Sequence, residues 1–126
     1  MNKQTYLYRQ VHPSWIQEGR ITSQTFTPTP KDQGRLSVYN GDLITPSKAW
    51  KHYTTKLQCL SAGVVGVTVK ECEDQSLQPL PDPEPFPEHA VIDFSSCSSN
   101  REIKKKAKVL RNLAEKRGWL YLAAEL

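Results

Sequence analysis

Between positions 79 and 87 every second residue is a proline: Pro79, Pro81, Pro83, Pro85 and Pro87. Proline has no backbone N–H and a fixed φ, so no helix crosses this stretch and no regular ladder uses all of it. The segment reads as an extended, stiff connector of polyproline II type, acidic in character, over 74–88. The core must therefore be built from what lies before it and after it. With 126 residues the chain has the size of one domain, taken as 1–126, and can bury a core without staples.

Before the connector, 6–11 reads as a first strand with Leu7, Arg9 and Val11 on one face. Pro13 ends it, and 13–19 is expected to make one helical turn that exits at Gly19. A second strand is predicted at 20–26, a loop rich in proline and glycine at 27–34, and a third strand at 35–39, followed by the turn dipeptide Asn40-Gly41. Thr45-Pro46 is a helix start, and the spacing predicts a helix over 46–57. The run GVVGVTV at 63–69 is nearly continuous valine, as a central strand requires.

After the connector, 89–94 is a strand with Ala90, Ile92 and Phe94 on one face. Ser99 to Glu102 has a capping-box pattern, Ile103, Ala107, Leu110 and Ala114 recur at helical spacing, and Gly118 marks the end, so a helix is predicted over 100–117. A short final strand is expected within 119–122. The order is not the strict alternation of a doubly wound fold. It predicts a single α+β domain: a mostly antiparallel sheet of about five strands with two helices packed on one face.

The three cysteines, Cys59, Cys72 and Cys97, have no C-x-x-C pair, and His12, His52 and His89 lack metal-ligand spacing, so free thiols, no metal and no cofactor are expected. The start of the chain holds no apolar run of signal-peptide length and no segment is long enough to span a bilayer, so a cytoplasmic protein without membrane contact is expected, bacterial or phage in character. Charge is segregated. From 101 to 117 there are eight basic residues and two acids, +6, and from 71 to 93 seven acids and no Lys or Arg, −7. The two blocks are expected to lie side by side and mask each other.

Three functional readings follow. The favoured one is a non-enzymatic accessory protein that binds a protein partner through Asp82, Glu84, Phe86 and Glu88 of the acidic connector. The second is a small enzyme or toxin acting on NAD or nucleic acid. Its catalytic candidates are Arg9, His12, Ser23 and His89, with Ser37 and Asp32 in the same polar set; Arg binds a phosphate and His serves as general base. The third is nucleic-acid binding, weak and at low salt, through Lys104, Lys105, Lys108 and Arg111 of the last helix. Tyr8-Arg9 followed by Thr22-Ser23-Gln24-Thr25-Phe26 resembles the opening of ADP-ribosyltransferase-type domains, over about a fifth of the chain. That resemblance implies that a first-strand Arg and a Ser-Thr segment hold the nicotinamide end of NAD. The Glu it calls for near the last helix has no counterpart; Asp93 stands there instead. A polar concave pocket joining Arg9 to His89 would favour the enzyme over the other two readings.

Overall fold

The computed structural model describes residues 1–123. Along the chain come β1 (Tyr6–Val11), a hairpin of β2 (Ile16–Gln17) and β3 (Arg20–Ile21), β4 (Arg35–Asn40), α1 (Pro46–Lys51), β5 (Gly63–Thr68), α2 (Val69–Asp74), β6 (Gln78–Pro81), β7 (His89–Asp93), α3 (Asn100–Arg117) and β8 (Tyr121–Leu122). The main sheet has six strands in the order β6-β7-β4-β1-β5-β8. All its pairings are antiparallel. The fold class is α+β, as expected.

Successive side chains on a strand point to opposite faces, so β1 and β5 feed two separate cores. Leu7, Val11, Val65 and Val67 join Leu36, Ile92 and Phe94 under Ala107, Leu110 and Ala114 of α3. Tyr8, Val64 and Tyr39 face the other way and meet Ala49 of α1, with Trp50, Tyr53, Phe86 and Tyr121 around them. The two helices expected on one face are thus divided between the faces. The reason is the valine run: both faces of β5 are apolar, and each needs a cover.

Other expectations change locally. The helical turn expected at 13–19 is a 3₁₀ turn over Pro13–Trp15 only. Ile16 and Gln17 then pair with Ile21 and Arg20 around Glu18 and Gly19, whose φ values of 52° and 78° make the two-residue turn that a hairpin needs. The strand expected at 20–26 stops at Ile21, and Ser23–Phe26 is a 3₁₀ turn that sends Phe26 into the core under α3. Helix α1 is capped by Thr45 as expected but ends at Lys51, and His52–Lys56 continues as a π-helical turn. Helix α2 was hidden behind the valine run, although Thr68 and Glu71 form a reciprocal capping box. Helix α3 has the predicted bounds.

The connector is partly a strand. β6 takes Gln78 to Pro81 into the sheet beside β7. Because the prolines are two residues apart, their missing N–H groups all lie on one side. Pairing uses the other side, and the proline side is left as a sheet edge that no further strand can extend.

Candidate functional site

β1 pairs with β5 from Tyr6↔Thr68 to Val11↔Gly63, but with β4 only at Leu7↔Asn40 and Tyr8↔Tyr39. Past Tyr8 the strands part. The opening is a cleft of about 490 Å³. Arg9, Gln10, Ser37 and His89 supply its polar groups; Tyr8, Tyr39, Tyr53, Leu57 and Phe86 supply much of its apolar wall.

Arg9 stands where the ladder would have continued. Its Nε donates to Thr25 O of the second 3₁₀ turn at 2.6 Å and its Nη1 to Ser37 O of β4 at 2.8 Å, so the guanidinium satisfies one carbonyl of the turn and one that the parted β4 leaves behind. The guanidinium carbon lies 5.3 Å from the centre of the Trp15 ring. Burial pulls the Arg9 pKa down, partly offset by the fields of Tyr53 and Asp32. Among the described residues no carboxylate forms an ion pair with it. A desolvated cation without a counter-ion attracts an anion strongly.

His89 comes from β7, where it pairs with Tyr39. Its Nδ1 lies 2.9 Å from Asp82 O and 3.3 Å from Asp82 Oδ2. A carbonyl only accepts, so Nδ1 carries the proton and Nε2 presents its lone pair. Ser37 Oγ is 3.1 Å from that Nε2 and donates to it. The aromatic wall is continuous: Phe86 lies 5.2 Å from Tyr39, 4.6 Å from His52 and 5.2 Å from His89, centre to centre. Tyr39 Oη is held by His52 Nδ1 at 2.8 Å. Burial raises the Tyr39 and Tyr53 phenols, with the nearby Cys59 adding to the shift on Tyr53. Both remain neutral hydrogen-bonding walls. The π-helical turn carries Tyr53 to the cleft, in the kind of place where such turns often occur.

Gln10 is buried and lines the cleft. Its Oε1 accepts from Ser61 Oγ at 2.7 Å, whereas Nε2 has no partner among the described residues. A buried amide donor left open is rare unless something else fills its place.

Of the catalytic candidates, Arg9 and His89 meet in the cleft, together with Ser37. The others do not. His12 caps the first 3₁₀ turn by accepting from Ser14 N at 3.0 Å. Ser23 lies in the second 3₁₀ turn, where its carbonyl accepts from Thr27. Asp32 closes a capping box with Thr29. Asp93 accepts from Ser95 N at 2.8 Å at the end of β7, outside the cleft. The proline loop is not a free epitope at its centre: Phe86 is turned in as cleft wall and Asp82 holds His89, while Glu84 is exposed and Glu88 half-buried.

The charge blocks do not mask each other either. Between α3 and 71–93 the described ion pair is Arg117 with Glu71 at 2.9 Å. Lys106 pairs within the helix with Glu102, and Arg111 is spent on Ile21 O, Asn112 and Glu115. Lys104, Lys105 and Lys108 are exposed. The acidic segment lies on the β6–β7 side of the sheet, so its length of chain was no guide to its position.

Gln10, Tyr39 and Tyr53 were missed from the sequence. The period-two pattern of β1 did hold a signal, since Tyr8 and Gln10 alternate with Arg9, but nothing local showed that the second face opens to a cleft. No family model, curated protein or solved structure matches the chain. No helix of the described residues is long and apolar enough to cross a membrane, and they hold no cluster of three or more His, Cys, Asp or Glu that could bind a metal.

Proposed function

We propose that this protein is a small enzyme whose cleft between β1 and β4 takes a nucleotide-class substrate, an anionic molecule that carries a planar ring. The observation that carries this reading is Arg9, a desolvated cation with no carboxylate ion partner among the described residues, at a cleft walled by Tyr39, Tyr53 and Phe86. The cation suits a phosphate and the aromatic rings suit a flat base. His89, with its Nε2 lone pair directed at Ser37, is the group placed to move a proton.

The test is thermal unfolding of the native protein with NAD, ATP, AMP and inorganic phosphate. A ligand at about 100 times its Kd adds about 2.7 kcal/mol and raises Tm by several degrees. That rise should disappear in Arg9→Gln and shrink in Phe86→Ala. A panel that moves Tm nowhere, or moves it equally in Arg9→Gln, rejects this reading.

A further inference from the structure

The geometry points to Ser37 as a nucleophile, activated by His89 and positioned by Asp82, for acyl transfer from an ester or thioester that carries an anionic group. This rests on the cleft being a ligand site, and it adds a covalent step. The three residues come from neighbouring parts of one sheet. Ser37 pairs with Val91 and Tyr39 with His89, so Ser37 and His89 are diagonal neighbours on the same face of β4 and β7. Asp82 follows β6 directly, and its N–H donates to His89 O at 3.0 Å. Framework strands hold such a set more tightly than loops do.

The hydrogen bonds run in the required order. Asp82 accepts the Nδ1–H hydrogen bond of His89 through its carbonyl at 2.9 Å, with its carboxylate at 3.3 Å. That leaves Nε2 as the base, 3.1 Å from Ser37 Oγ. A nucleophile within reach of a base, which a third group orients, is the recurring arrangement of serine acyl transfer. Two further features set this serine apart from a serine that merely caps a ring nitrogen. Ser37 is exposed to the cleft although its strand neighbours Leu36 and Val38 are buried. Its own carbonyl accepts from Arg9 Nη1 at 2.8 Å, so the same residue of β4 anchors the cation that would hold an anionic substrate at the cleft.

In the first step the Ser37 Oγ–carbonyl carbon bond forms and the Oγ proton passes to His89 Nε2. The bond from that carbon to the leaving oxygen or sulfur then breaks, and His89 returns the proton to the leaving group. Water repeats the sequence on the acyl-serine, giving the carboxylic acid and free Ser37. No oxidant or reductant is needed. Arg9 holds the anionic part of the substrate and Asp82 acts only through His89.

The probe is an alkyl fluorophosphonate, which transfers its phosphonyl group to an activated serine with loss of fluoride. Intact mass should show one adduct, and peptide mapping should place it on Ser37. Ser37→Ala should abolish it. His89→Gln should slow labelling about 10²–10⁴-fold, the range for loss of a general base. Asp82→Asn should lower the maximal labelling rate while the concentration for half-maximal rate and Tm stay unchanged, a split that a merely structural role does not produce. Asp82 is half-exposed, so this variant tests the idea even if His89→Gln does not fold. No adduct on folded wild type, an adduct on another residue, or equal labelling of Asp82→Asn and wild type overturns the inference. Nucleotide binding that depends on Arg9, without an adduct, removes this inference alone; an adduct on Ser37 without nucleotide binding removes the nucleotide reading alone.

Discussion

Single side chains differ here mainly in how far water reaches them, and the three cysteines make that measurable. Cys59 is exposed, Cys97 half-buried and Cys72 fully buried on the inner face of α2. Burial pushes the Cys72 thiol up to about 12, with Glu71 and Glu73 adding their fields. A thiol reacts as its thiolate, so access and pKa act in the same direction. A thiol reagent on the native protein should modify Cys59 first, Cys97 more slowly and Cys72 only on unfolding. Peptide mapping of a labelling time course checks the order; early modification of Cys72 would show that α2 does not stay packed on the core. Arg9 is the opposite case. It lies on the predicted face of β1 with Leu7 and Val11, yet its charged end is neither in the core nor in water but across the gap between strands.

At the scale of elements, α3 shows how one helix divides its duties. Leu110 is fully buried at the middle of the stripe with Ala107 and Ala114. Leu110→Ala should destabilise the fold by ~2–5 kcal/mol, the sum of lost transfer energy and the cavity left behind. Urea unfolding measures it, and an unchanged midpoint would place the stripe outside the core. The opposite side of the helix carries Lys104, Lys105 and Lys108 without the acidic segment near enough to pair with them. Exposed lysines of this number release few counterions from DNA. Affinity should be weak, with a slope of log K against log salt no steeper than about −3. Fluorescence anisotropy at several salt concentrations, repeated on Lys104, Lys105 and Lys108 changed together to Ala, gives the slope. Tight binding at physiological salt, lost in that variant, would put nucleic acid ahead of the cleft.

For the whole molecule, acid stability follows from its carboxylates. Glu102 accepts from Ser98 N and pairs with Lys106, which draws its pKa from 4.5 to about 2. Burial acts to raise Glu71, but the Arg117 guanidinium and the Thr68 cap outweigh it and leave it below its ordinary value. Glu115, held by Arg20, is also lowered. A carboxyl whose folded pKa is depressed is more protonated in the unfolded chain over the interval between the two values, so stability rises with pH there. Tm should therefore fall as pH drops from about 4.5 towards about 2, and be flatter above that window. Glu102→Gln should reduce the slope. A Tm independent of pH across the window would mean that these ion pairs form equally in the unfolded chain.

What the sequence determined by itself was local. Helix α3, its start at Ser99 and its buried stripe, the strands expected at 6–11, 35–39, 63–69 and 89–94, each within one residue of its observed end, and the α+β class all follow from periodicity and capping, which short stretches of chain carry whole. The proline spacing excluded a helix and read as a connector; that residues 78–81 enter the sheet was decided by β7 lying alongside. Arg9 and His89 were legible as chemistry-bearing residues, since their type and their places near strand ends are local facts. That they meet, and that Ser37 meets them while His12, Ser23 and Asp32 do not, was decided by where β4 parts from β1 and by the register of β4 on β7. A one-residue slip in that register would have turned His89 to the α3 side. The same holds for Gln10, Tyr39 and Tyr53, which read as ordinary strand and helix residues until the opening of the sheet and the π-helical turn put them around one space. Contacts between residues far apart in sequence depend on strand pairing and the packing of both faces of β5, and neither is encoded in any one segment.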